Sequence, residues 1–318
     1  MYQCADSLTE SVPPSPDDFC DLVYYQLEQR FAFLDWPNSS CIRQLVRISS
    51  DSPKQKYGIT VFNSQGDKSL EQIMSPTGVA QFIKLWTLNV KHHGVTFASG
   101  TYATLITLAH YNLRILDRFK ALQVAVNSMT GQSKHRRYVL LGVQGWFSNF
   151  SAEREPLSAV LRKIVTTHPV NLLVVYTHIW HWYTSPCIVS GPTILRNALR
   201  VPLPAMDTTV EIVNAARTPR YVTVLLSLSA IVSHFTMEGG WSSKRKYYGG
   251  LCADREYLPY ANVCSTSSLA KPSIVPEAHV AIRRLYKDDV ITQATFETKD
   301  TIKSKVGHIR LLTSRSGI

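Results

Sequence analysis

The chain has 318 residues, of which 45% are hydrophobic and 18% charged, with 34 Lys and Arg against 23 Asp and Glu and six cysteines. A chain this apolar and this dilute in charge is not disordered, and so few cysteines do not make a disulfide scaffold. The net charge of +11 favours a polyanionic partner, nucleic acid first among them, while saying nothing about fold.

The start, Met1-Tyr2-Gln3-Cys4-Ala5-Asp6, carries neither the basic nor the apolar region of a secretory signal. Pro13, Pro14 and Pro16 predict a flexible lead-in. A helix capped by Asp17 or Asp18 is then expected to about residue 33, followed by strands over 41–49 and 57–63. Ser75-Pro76, a cap and a first-turn proline, opens a helix closed by His92-His93-Gly94. Another helical stretch is expected over 101–128, and Ser151 starts the next. Residues 138–147, 170–183 and 221–235 are apolar runs that periodicity cannot assign; the last two fall short of the roughly 20 residues of a membrane span. Short helices are expected over 192–200 and 207–217, a loop over 241–268, and a helix over 276–287. A closing hairpin is expected from 290–296 and 306–312.

Thr101-Tyr102-Ala103-Thr104-Leu105-Ile106 returns loosely as Arg137-Tyr138-Val139-Leu140-Leu141-Gly142. With Gly94 before it, the stretch from Gln81 to Met129 resembles a degenerate pentatricopeptide-type helical hairpin, which implies helix-pair architecture; two amphipathic helix pairs of similar length would look the same.

Charge is distributed unevenly. Residues 1–40 hold seven acids and one base, Arg30. Between Gln72 and Met206 the only acids are Asp117, Glu153 and Glu155, against thirteen Lys and Arg. A stretch that avoids carboxylates reads as a phosphate-facing surface. Two clusters stand out as candidate nucleic-acid contacts. One is Lys134, His135, Arg136 and Arg137; the other is Trp241, Lys244, Arg245, Lys246, Tyr247 and Tyr248, where cations sit among rings that can stack on unpaired bases.

His178 and His181 invite a metal reading, but no Asp or Glu lies between Pro156 and Met206 to complete a site. Cys252 and Cys264 lack zinc-finger spacing and read as inert, with reduced thiols throughout. Asp288-Asp289 reads as a solvated cap. Neither a nucleophile elbow nor a phosphate loop occurs.

The expected fold class is therefore α+β and helix-rich: a helical core with a few short strands and a possible C-terminal hairpin. An acidic segment, 1–40, precedes a single basic globular domain, 41–318. The expected function is a non-enzymatic, intracellular RNA-binding protein of coat or nucleocapsid type. It would bind single-stranded RNA and its own copies, with no catalytic residue, metal or cofactor. Three alternatives remain: a helical-repeat RNA-binding factor, an RNA-processing enzyme using His178 and His181, and a protein-interaction subunit with an acidic partner.

Overall fold

The structure, a computed structural model, describes residues 2–3, 22–27, 40–51, 55–62, 75–96, 114–130, 137–144, 151–178, 187–199, 203–229, 231–237, 248–258, 272–287 and 290–315. These fall into two compact units. The first comprises Met1–Gln144, Val160–Val174 and Thr218–Leu225; the second comprises Gly145–Ala159, Val175–Arg217 and Leu226–Ile318.

As far as residue 226 the chain alternates strand and helix. In chain order come β1 (Tyr2–Gln3), β2 (Leu22–Leu27), α1 (Ser40–Asp51), β3 (Lys56–Phe62), α2 (Pro76–Thr87), β4 (Val90–Thr96), α3 (Arg114–Thr130) and β5 (Val139–Gln144). Then follow α4 (Ser151–Thr167), β6 (Leu172–Tyr176), α5 (Met206–Ala216) and β7 (Thr223–Leu226). The seven strands lie side by side in the order in which the chain makes them. From β1 to β5 each pair is parallel. A helix after each strand from β2 to β6 is the connection that parallel neighbours require.

The helix-rich core with few strands expected from the sequence is thereby corrected: the centre is a parallel sheet with helical crossovers. The physical reason is burial on both faces. Ile59, Val95, Val139 and Leu141 face the helices, while Leu140, Leu172 and Tyr24 form a cluster on the other side. Such strands read as continuous apolar runs, so 138–147 and 170–183 gave no period.

Individual elements are corrected as well. The helix expected over 17–33 contains strand β2, rich in Val and Tyr. The strand expected over 41–49 is helix α1, whose buried Ile42, Leu45, Ile48 and Ser49 recur every three or four residues. Helix α2 does start at the Ser75 cap, whose hydroxyl accepts from the Gly78 N–H at 3.1 Å. It ends at Thr87, and Asn89, at φ 66°, turns the chain into β4. His92-His93-Gly94 therefore lies inside a strand, and the helical-hairpin resemblance over 81–129 fails there. Helix α3 begins at Arg114; residues 101–113 lie outside the described set.

The second unit contains a five-stranded sheet of order β10-β11-β12-β8-β9, antiparallel throughout. Its strands are β8 (Val232–Met237), β9 (Cys252–Leu258), β10 (Ser273–Val275), β11 (Val280–Lys287) and β12 (Val290–Phe296), and α6 (Lys299–Arg315) follows. The helix expected over 276–287 is a turn, with His279 at φ 50°, leading into β11. The strand expected at 306–312 lies within α6, so the closing hairpin is β11 with β12. No regular helix forms over the described residues 192–199 of the one expected over 192–200, and β9 crosses the expected loop over 241–268. The apolar run 221–235 holds two strands, β7 and β8.

Cys187 and Cys252 form a disulfide with Cα atoms 5.1 Å apart, packed beside Val189 and Phe235. The reading of Cys252 as an inert thiol is thus corrected. Their separation of 65 residues gives a loop whose cross-link stabilises by about 2–4 kcal/mol through the unfolded chain. A reductant is expected to lower the thermal midpoint, and Cys252→Ala should match reduced wild type while losing all further response to reductant. Identical midpoints with and without reductant would show that the pair does not bond.

Candidate functional site

In sheets of alternating strands and helices, chemistry collects at the C-terminal ends of the parallel strands. The second unit holds the ends of β6 and β7, neighbours in the sheet, and there the chain places Thr177, His178 and Ser227. The Ser227 N–H donates to the Val175 carbonyl at 3.0 Å. Ser227 Oγ accepts from the Thr177 N–H at 2.9 Å, and Thr177 Oγ1 donates to the Ser227 carbonyl at 2.6 Å. His178 Nδ1 pairs with Ser227 Oγ at 2.6 Å. The His178 ring meets Tyr176 edge-on, with centroids 5.5 Å apart. Burial lowers the pKa of His178 to about 4, so its imidazole is neutral at ordinary pH. The group is a fixed, uncharged hydrogen-bonding platform beside an aromatic ring.

The first unit has its own polar set, on β4. The Tyr138 N–H donates to His92 Nδ1 at 3.0 Å. His93 lies among Phe82, Trp86 and Phe119, with Gln123 Nε2 3.2 Å from its Nδ1. Burial, reinforced by neighbouring charges, lowers the pKa of each to about 3. The helix end expected at these residues is instead a pair of neutral core side chains.

Of the candidate phosphate contacts, Lys134, His135, Arg136, Trp241, Lys244, Arg245, Lys246 and Tyr247 lie outside the described residues, as do His181, Cys264 and Asp288-Asp289. Arg137, in the first unit, lays its guanidinium over the Trp86 ring at 4.7 Å. Tyr248, in the second, packs on a cluster of Ile194, Leu203, Ala205, Ala278 and Val280. Of the two histidines singled out by sequence, His178 acquires a partner, Ser227, 49 residues away. The alternation Leu226-Ser227-Leu228-Ser229 in the middle of an apolar run was the available signal. Among the described residues no three His, Cys, Asp or Glu come together as a metal site. No described helix is long and apolar enough to cross a membrane. The last described residues of β2 to β5, namely Leu27, Phe62, Thr96 and Gln144, include no carboxylate, and neither does the β6–β7 group.

No protein-family model matches the sequence, and no curated protein is significantly similar to it. Its fold, however, is that of solved glycoside-hydrolase family 18 proteins. The chitinase of Cycas revoluta in complex with (GlcNAc)3 superposes with a TM-score of 0.62 and 12% identity over 92% of this chain and 85% of that one. The same chitinase with allosamidin gives 0.63 and 11% over the same shares. A family 18 N-acetylglucosaminidase from Paenibacillus barengoltzii gives 0.61 and 8% over 92% and 86%. At these identities the likeness is one of fold.

That fold corrects the function expected from the sequence. A basic, carboxylate-poor chain was read as a non-enzymatic RNA coat or nucleocapsid protein, with RNA and its own copies as partners. Its structural neighbours are instead chitinases and glycosidases, enzymes that act on carbohydrate. The reason for the misreading is physical: net charge reports long-range attraction, and it is indifferent to the order in which strands are laid down.

Proposed function

We propose that this chain is a carbohydrate-active enzyme of the chitinase type, a hydrolase of oligosaccharides containing N-acetylglucosamine. The observation that carries this reading is the in-order parallel sheet, matched over 92% of the chain to a chitinase holding (GlcNAc)3. The β6–β7 group suits the role: His178 and Ser227, both half-buried, offer uncharged hydrogen-bonding groups to sugar hydroxyls and are held in place by the buried Thr177 and Tyr176.

Glycosidic cleavage needs a carboxylic acid to protonate the leaving oxygen, and in family 18 chemistry the substrate assists in place of a second carboxylate. With none among the described strand ends, the donor has to come from a following loop or helix. Glu153 and Glu155, which follow β5 near the start of α4, are among the carboxylates so placed in the sequence, with Glu28 after β2 and Asp67 and Glu71 after β3.

The test is incubation of the full chain with (GlcNAc)4, with products separated by mass. Shorter oligosaccharides are expected, and Glu153→Gln or Glu155→Gln should slow their release by about 100-fold or more. Binding without cleavage would remove the hydrolase reading, and absence of both would remove the carbohydrate reading altogether.

A further inference from the structure

The inner face of the parallel sheet in the first unit carries a pattern that the carbohydrate reading does not use. Tyr24 of β2 is in register with Gly58 of β3. Thr60, two residues further along β3, is in register with Gly94 of β4. Thr96, two further along β4, is in register with Gly142 of β5. Because side chains alternate between faces along a strand, steps of two keep all six residues on one face. The three hydroxyl-bearing residues thus climb one strand across and two residues up at a time, each facing a glycine.

All three are almost completely enclosed, with 4%, 0% and 1% of the surface of Tyr24, Thr60 and Thr96 exposed. None of their three hydroxyl oxygens has a hydrogen-bond partner among the described residues. The glycines explain why: the opposite position, where a cross-strand hydrogen-bonding partner would stand, has no side chain. The first two glycines cannot be replaced without strain. A Cβ on Gly58 would lie 2.6 Å from the Tyr24 ring, and one on Gly94 would lie 2.7 Å from Leu140 Cβ. Buried hydroxyls are almost always paired, with ordered water where protein supplies nothing. From strand spacing and rise, Thr60 and Thr96 have Cα atoms about 8 Å apart, within reach of one or two bridging waters, and the Tyr24 ring crosses Gly58 to lie 6.4 Å from the His92 ring on β4, which carries its hydroxyl over the same face.

We infer that this inner face holds a file of internal water molecules linking Tyr24, Thr60 and Thr96 and rising toward the C-terminal ends of β4 and β5. The file is a fixed hydration site, independent of whether the chain cleaves carbohydrate.

The sign of a stability change tests it. Removing a hydroxyl that is dry and unpaired relieves a penalty, so near-isosteric variants would gain stability; removing one that holds a water leaves that water short of a partner. Tyr24→Phe, Thr60→Val and Thr96→Val in the full chain are each expected to lower the thermal midpoint. The Thr60→Val/Thr96→Val double variant should lose less than the sum, because both residues hold the same waters. Midpoints that rise or stay level in all three would overturn the inference. A high-resolution crystal structure of the wild-type chain decides the matter if a variant fails to fold. Water density about 3 Å from at least two of the hydroxyls is expected, and an empty face there would overturn the inference.

Discussion

Lys305→Met is expected to destabilise the protein by about 3–5 kcal/mol, the cost of stranding a buried charge. Lys305, on α6, is wholly buried, and its Nζ donates to the Thr193 carbonyl at 2.7 Å and to the Glu297 carboxylate. Thr301 Oγ1 donates to the other Glu297 oxygen at 2.8 Å. Every charged atom of the pair is thus answered, and the start of α6 is tied to the end of β12 and to the segment around Thr193. Burial raises the pKa of Glu297 and lowers that of Lys305, in each case against the attraction of its partner. Desolvation therefore outweighs attraction, and the pair's contribution is to fix position more than to add stability. It follows that Glu297→Leu/Lys305→Met, which removes both charges, should recover most of what Lys305→Met alone loses. Urea midpoints for the wild type, both single variants and the double variant measure this as one cycle. A double variant as unstable as the sum of the singles would show that the two residues act separately.

Acid is expected to weaken the fold steeply below pH 6.5. His92 and His93 have pKa values of about 3 and His178 about 4, all lowered chiefly by burial. The sign follows from linkage: as pH falls below the ordinary histidine value, the unfolded chain takes up protons that the folded chain refuses. Each of the three then costs about 1.4 kcal/mol of stability per pH unit, until the folded groups themselves titrate near pH 3–4. Thermal midpoints measured between pH 7.5 and pH 4, an interval of about three histidine protonations, should fall throughout. His92→Asn and His93→Asn keep an acceptor near the position of Nδ1, used by the Tyr138 N–H in the first case and facing Gln123 in the second. Each should remove about a third of the slope. A midpoint flat to pH 5 would mean that these rings are charged or solvated in the folded protein.

Several local features were legible in the sequence because their causes are local. The Ser75 cap and Pro76 mark the start of α2, the residues of α5 carry a helical period, and β3 alternates. The scarcity of carboxylates between Gln72 and Met206 was also plain, and it reappears as strand ends without Asp or Glu. Of the candidate site, sequence found His178 and missed Ser227, because 49 residues separate the two and only adjacent strand ends bring them together. Lys305 and Glu297, eight residues apart, become a buried pair only where α6 brings the lysine to the carboxylate that follows β12.

The amino-acid sequence by itself determined the caps, the turns and the amount of apolar surface to be buried, since these depend on neighbours within a few residues. Whether an apolar run becomes strand or helix, and therefore which fold results, was decided by tertiary structure. A strand buried on both faces has no polar side to show a period. Residues such as 280–287 become strand because β10 and β12 pair with them on either side, and those hydrogen bonds outweigh a helical preference of a few tenths of a kcal/mol per residue.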